Sequence, residues 1–427
     1  MIEPAEYHIM FCLMDFGCIA LSAMAPDDLL PPARFFAVQA IVGNCGRSSA
    51  RRGAITETTH VFRWRAASEW GTVDRLPLKR PLGKEPAVQR LWNLDILRIV
   101  AISAVVVIHT TQNMSKLDVT GLDWAVLNVY DGLVRWAVPV FVMISGVLFL
   151  NPAKEQPLKK LYAKNVLRIV TIILFWGLVY AALNHPPADL SSESLYAFFC
   201  TAVLGHYHMW FLYMIAGLYI LVPVMRCIAA SPKTLDYFLA VAFVLNTALP
   251  FLTSFGHLSL ITQLTDNMLF QMPLGYSFYF LLGFWLSQRD FTRKQETGIY
   301  LLGIAGVAAT ILLTYAASQA AGKPVLTYYG NFSLPVCLAS TALFTWSRRW
   351  PIAPGGKHPV VSRLSASTLG VYLVHVIVLD ALARLGLSAL AFNPVLAVPA
   401  TAGAAIVISF ALAALMTKIP FFNKHFV

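Results

Sequence analysis

The chain has 427 residues, 58% of them hydrophobic and 12% charged, with a mean hydropathy of +0.65. A soluble domain carries about 25% charged residues, so a soluble protein is excluded over most of this length. The net charge of +11 does not mark a nucleic-acid binder either, because the basic residues sit in short gaps between apolar blocks, where they record membrane topology.

Residues 1–90 differ from the rest, mixing Arg, Pro, Ser and Gly without a sustained period, as in GNCGRSSARRGAITETTHVFRW (43–64). The apolar run MFCLMDFGCIALSAMA (10–25) lacks the basic flank of a secretory signal. Two expectations stand side by side, a disordered cytoplasmic extension and a mis-called translation start, with a cleaved signal peptide third. No Met lies between Met24 and Met114 to supply an internal start.

From residue 91 the sequence predicts an all-α integral membrane bundle of about ten transmembrane helices, in blocks of about 20 apolar residues, the length of a bilayer crossing. The predicted spans are 94–113, 132–150, 165–184, 209–229, 235–255, 271–288, 298–318, 331–348, 367–386 and 396–417. The sixth and eighth are short and carry Gly and Pro. Lys and Arg alternate with this count. The gaps after the second, fourth, sixth, eighth and tenth spans hold 16 basic residues, from Lys154 to Lys424, against 4 on the other side (Lys116, Arg135, Lys323 and Arg384). The positive-inside rule then puts both ends of the bundle in the cytoplasm. The six cysteines form no CxxC pair and no dense framework, so neither a zinc site nor a disulfide fold is expected.

The first span, LDILRIVAISAVVVIHT (94–110), carries Asp95, Arg98 and His109. Eleven residues at about 100° each bring Arg98 and His109 to within roughly 20° of one face, some ~16 Å apart along the axis. They cannot touch each other, but both can touch one long ligand. Asp95, at i−3 from Arg98, can partly neutralise it. Ionisable groups inside a membrane segment point to function; against that stand a snorkelling arginine and a histidine bonded to a carbonyl.

Four segments in order resemble the membrane acyltransferase family 3. Arg98 and His109 fit its Arg-x10-His helix. VRWAVPVFVMISGVLFL (134–150) resembles its second helix, with Arg135, Pro139, Ser145 and Gly146. HMWFLYMIAGLYILVPVMR (208–226) resembles its His-x-Trp-Phe-Leu helix, with His208 and Trp210. STLGVYLVHVIVLDAL (367–382) resembles its late helix, with Tyr372 and His375. The resemblance spans about 91–420, leaves residues 1–90 unmatched, and implies an O-acyltransferase in a bacterial-type inner membrane. Such enzymes move an acetyl or other acyl group from acyl-CoA, acetyl-CoA above all, to a hydroxyl of a cell-surface or lipid-linked saccharide.

Carried over, the resemblance makes His109 the general base and Arg98 the donor-side cation, with Asp95 and His375 in support. A histidine near its ordinary pKa of about 6.5 suits proton removal from a sugar hydroxyl. His375 either orients His109, binds the acceptor, or simply bonds a carbonyl, and Asp380 lies roughly 140° around the helix from it. Arg135 either contacts the acceptor or a polyprenyl-linked phosphate, or pairs with Asp131. His208, Trp210 and Tyr372 are expected on the acceptor side. His206 and His208 alone make a poor metal site, and no bound metal or cofactor is expected. Lys164 and Arg168 lie in a basic anchor that can also meet the coenzyme A phosphates. No G-x-S-x-G elbow appears, and Ser145 is read as a small residue at a helix contact. Nothing after the tenth span suggests a domain that hands the acyl group onward, so direct transfer is expected. The competing function is a multipass transporter or flippase, which the composition alone leaves open.

Overall fold

The computed structural model describes residues 90–152, 154, 156–255, 271–350, 358–420 and 422, the side chains of 271–273 excepted. The extension expected over 1–90 lies, Arg90 apart, outside the described residues, as do Cys12, Cys18 and Cys45. Among the described residues every regular element is a helix, and Cys200, Cys227 and Cys337 are free thiols.

The helices are α1 (Trp92–Thr111), α2 (Leu122–Gly132), α3 (Ala137–Leu150), α4 (Leu158–Asn184), α5 (Ser192–Leu204) and α6 (Trp210–Ala230). They continue with α7 (Pro232–Thr253), α8 (Gln271–Gln288), α9 (Arg293–Ala321), α10 (Leu334–Ser347), α11 (Pro359–Arg384) and α12 (Pro394–Lys418). Helix covers most of each of the ten predicted spans, but among the described residues eight segments are long and apolar enough to cross a membrane, the α2–α3 pair counting as one. The two that fall short are those flagged by their Gly and Pro: α8, 18 residues with a kink at Gly275, and α10, 14 residues.

Two further differences have local causes. The second span was expected as one helix over 132–150; instead the chain breaks at 133–136 between α2 and α3. α5 was not expected at all. Its stop and start signals are visible in retrospect, since the Ser191 hydroxyl accepts from the Ser194 amide and Gly205 ends it at φ 72, a left-handed value that glycine adopts without strain.

α1 presents apolar residues over most of its circumference and feeds two cores. Leu97 and Ala101 join Met143 and Val147 of α3 and Phe280, Leu281 and Phe284 of α8. Ile102, Val105 and Val106 join Ile172 and Trp176 of α4, Leu373 and Val376 of α11 and Ala405 of α12. Many large apolar side chains remain exposed, among them Leu301, Ile304, Leu312, Val407 and Leu415, as expected for surfaces that lipid covers.

Close helix contact depends on glycine. A Cβ on Gly146 of α3 falls on the Phe280 carbonyl oxygen of α8, and one on Gly283 of α8 falls on the Met143 carbonyl of α3. The Ser-Gly step at 145–146 thus packs through its glycine. Gly146→Ala forces the two backbones apart, a fault of the overpacking kind that costs about 1–3 kcal/mol. The expected result is a lower thermal midpoint in detergent, with Gly217→Ala, which meets nothing within 4 Å, as the neutral control.

Candidate active site

α1 and α11 lie against each other, and they meet through polar groups at two levels. At the first level Asp95 is buried, 8% exposed, and fully engaged. Arg90 Nε donates to its Oδ2 at 2.6 Å, and the Ser365 hydroxyl donates to its Oδ1 at 2.6 Å. Arg98 Nη1 donates to the same Ser365 hydroxyl at 3.3 Å and lies 3.7 Å from Asp95 Oδ1. Arg98 is thus tied to α11 through Ser365 and to Asp95 by charge. Tyr219 of α6 sits within electrostatic reach of both Arg98 and Arg168. Lys164, in a π-helical turn of α4, is exposed. A cavity of about 300 Å³ opens at this end, walled by Arg90, Trp92, Leu94, Val147, Arg348 and Trp350 among others; it lies at the mouth of α1, well short of His109.

At the second level, near the other end of α1, four histidines converge. The His109 ring centroid stands 4.9 Å from His375 of α11 and 6.2 Å from His208. His208 and His375 are 5.3 Å apart, and His206 is 5.1 Å from His208. Aromatic groups close the cluster. Tyr180 stacks on His206 at 4.6 Å and donates to the Leu373 carbonyl at 2.8 Å. Tyr372 donates its hydroxyl to the His208 carbonyl. Trp210 lies outside the cluster, exposed and packed beside Phe211 and Tyr276.

The neighbours of His109 favour one of its two tautomers. The Tyr207 hydroxyl donates to Gln112 Oε1 at 2.6 Å, so its oxygen is left to accept from His109 Nδ1, 3.5 Å away at the outer limit of a hydrogen bond. With the proton on Nδ1, the Nε2 lone pair is the basic one. Tyr207→Phe removes that constraint and is expected to lower turnover about two- to tenfold, the value of one neutral hydrogen bond. Rates of acceptor-dependent thiol release from acetyl-CoA, with binding of acetyl-CoA unchanged, check it.

Arg135 sits in the break between α2 and α3, so the loss of helix there is what presents it. Its guanidinium is hydrogen-bonded to Asp131 and lies 4.2 Å above the Tyr329 ring. Tyr329 in turn donates to Asn128, whose amide donates to the Ile311 carbonyl at 3.2 Å. Arg135 is also within electrostatic reach of His109. Asp380 is exposed and has Arg384, not His375, as its charged neighbour. Among the described residues no group of three or more His, Cys, Asp or Glu side chains is placed to hold a metal ion.

The family model described as an acyltransferase domain matches residues 91–414. The chain belongs to that family, acyltransferase family 3. No curated protein and no solved structure matches it. As a member of this family, the protein is a membrane acyltransferase, and the matched region begins at the first residue before α1 and runs almost to the end of α12. Residue-type reasoning missed Ser365 and, just before the acyltransferase domain, Arg90, which hold Asp95, and Tyr207, Gln112, Asn128 and Tyr329, which lie against His109 and Arg135. The one usable signal was their clustering in polar breaks between apolar blocks.

Proposed function

We propose that the protein transfers an acetyl or related acyl group from acyl-CoA to a hydroxyl of a cell-surface or lipid-linked saccharide. The observation that carries this reading is α1 itself, which holds a paired cation at Arg98 and, beside Tyr207, a histidine at His109 on one continuous helix. The stretches VPVFVMISG and HMWF also resemble the group of the family that O-acetylates enterobacterial common antigen.

In this reading the Arg98 end faces the cytoplasm and takes the polyanionic donor, with Lys164 and Arg168 assisting at the phosphates. The thioester is delivered along the helix towards His109. The acceptor hydroxyl loses its proton to His109 Nε2 as its oxygen attacks the thioester carbonyl. The tetrahedral intermediate then collapses, the C–S bond breaks, and the imidazolium returns the proton to the departing thiolate. Ester and free thiol are the products, and the histidine ends as it began. Arg135 and His208 border the acceptor.

Purified protein in lipid nanodiscs, given acetyl-CoA and glycan from cells lacking the gene, tests this directly. Saccharide-dependent release of the coenzyme A thiol, matched by new esters on the glycan, is the expected outcome. Uptake or movement of glycan across the bilayer without ester formation would instead favour a transporter.

A further inference from the structure

His375 is buried completely, 0% exposed, yet only half of its hydrogen-bonding capacity is used. Its Nδ1 lies 2.7 Å from the Tyr372 carbonyl oxygen and 3.2 Å from that of Val371. A ring nitrogen facing two carbonyl oxygens must carry the hydrogen. In the neutral ring Nε2 is then a lone-pair acceptor, and it has no partner. His208, 1% exposed, repeats the pattern: Nδ1 is bound to His206 Nδ1 at 2.9 Å and Nε2 has no partner. Buried polar atoms are nearly always satisfied, and unpartnered ones call for an explanation such as a ligand.

A purely structural histidine in an apolar helix does not need this vacant nitrogen; a side chain of the same size without it would pack as well. A metal ion does not account for it, since no described cluster has the ligands. What Nε2 of His375 asks for is a hydrogen-bond donor, uncharged and small, one imidazole away from the base. The three rings of His109, His208 and His375 stand 4.9, 5.3 and 6.2 Å apart, a spacing that two adjacent hydroxyls of one sugar ring can bridge.

We propose that the acceptor is bound as a vicinal diol, one hydroxyl on His109 and its neighbour donating to His375 Nε2. His109 takes the proton of the hydroxyl that is acylated. The neighbouring hydroxyl keeps its proton, is not acylated, and fixes which oxygen faces the thioester. His208, whose Nε2 is also unpartnered, offers a third polar contact beside them. This inference rests on the O-acyltransferase reading and narrows its substrate class: sugars acylated next to a free hydroxyl, not isolated hydroxyls flanked by deoxy or linked positions. A site built around a hydroxyl discriminates strongly against acceptors that lack it.

The probe is the surface glycan of the producing cell. NMR mapping of the esters that depend on this protein is expected to place each one beside a free hydroxyl. An ester whose ring neighbours are all linked, deoxy or N-acylated overturns the proposal. In a second arm, glycan from gene-deleted cells is offered to the purified protein with acetyl-CoA, either intact or after periodate has opened its vicinal diols. Acceptor activity should fall at least tenfold after oxidation; activity retained on the oxidised glycan overturns the diol while leaving the acyltransferase standing. If intact glycan receives no ester from the wild-type protein, the acyltransferase reading fails and this inference fails with it. His375→Phe, which keeps the ring and deletes the nitrogen, should raise KM for the glycan about tenfold and leave KM for acetyl-CoA unchanged. A rise in both, or in neither, contradicts a hydrogen bond to the acceptor, and the wild-type arms stand even where that variant fails to fold.

Discussion

His109→Ala is expected to lower acyl transfer by about 10²- to 10⁴-fold, the usual contribution of a positioned general base, with the protein still present in the membrane. Two features keep the structural cost small. The ring is only half-buried and belongs to no apolar core cluster. Alanine is also the best helix former, and the residue lies two positions from the end of α1 at Thr111. The loss should appear in turnover at saturating donor, since the base acts as the acceptor hydroxyl attacks and not when acetyl-CoA binds. Thiol release in nanodiscs, normalised to protein amount, reads it. A variant as active as wild type would remove His109 from the chemistry and leave Tyr207 and Gln112 orienting a bystander.

Asp131→Ala carries the largest expected stability effect. Asp131 is 1% exposed and is the only carboxylate paired with Arg135 among the described residues. Removing it leaves a guanidinium partly buried over Tyr329 without its counter-charge, a defect that typically costs 3–5 kcal/mol, and about that loss is expected here. Replacing both members of such a pair by apolar residues is far milder, so Asp131→Leu with Arg135→Met should recover most of the thermal midpoint in detergent. The same double variant divides the two roles open to Arg135. Recovery of stability and of transfer together makes the pair structural. Recovery of stability alone places Arg135 on the acceptor.

Much of the bundle was legible because a bilayer crossing is a long, one-dimensional signal: the ten apolar blocks fall on ten helical segments. Among the described residues the count able to span is smaller, since α8, 18 residues kinked at Gly275, is too weakly apolar and α10 ends after 14 residues. α5 escaped notice for the opposite reason. It is short, its apolar residues Tyr196, Phe199 and Val203 stay exposed, and its position rests on its close approach to α4, where a Cβ on Gly177 would fall on the Ala202 carbonyl, and on the Tyr213 hydroxyl of α6 donating to the Val203 carbonyl.

The site divides in the same way. Arg98 and His109 share one helix, so helical periodicity alone related them. The groups that hold them come from far along the chain: Ser365 reaches Asp95 across 270 residues and Tyr207 reaches His109 across 98. A serine and a tyrosine carry no mark of such a role until the helices meet. The histidines at 206 and 208 were conspicuous as a pair, yet the vacant Nε2 atoms of His208 and His375 exist only in the packed bundle.

The central claim, an acyl group moved to a saccharide by chemistry at His109, is tested most directly in the cell. Surface glycans of a gene-deleted strain are analysed by mass spectrometry and NMR after complementation with wild type or with His109→Ala, both verified in the membrane at equal levels. Acyl esters that vanish on deletion and return only with the wild-type protein are the predicted result. Esters restored equally by His109→Ala, or a glycan unchanged by the deletion, would contradict it.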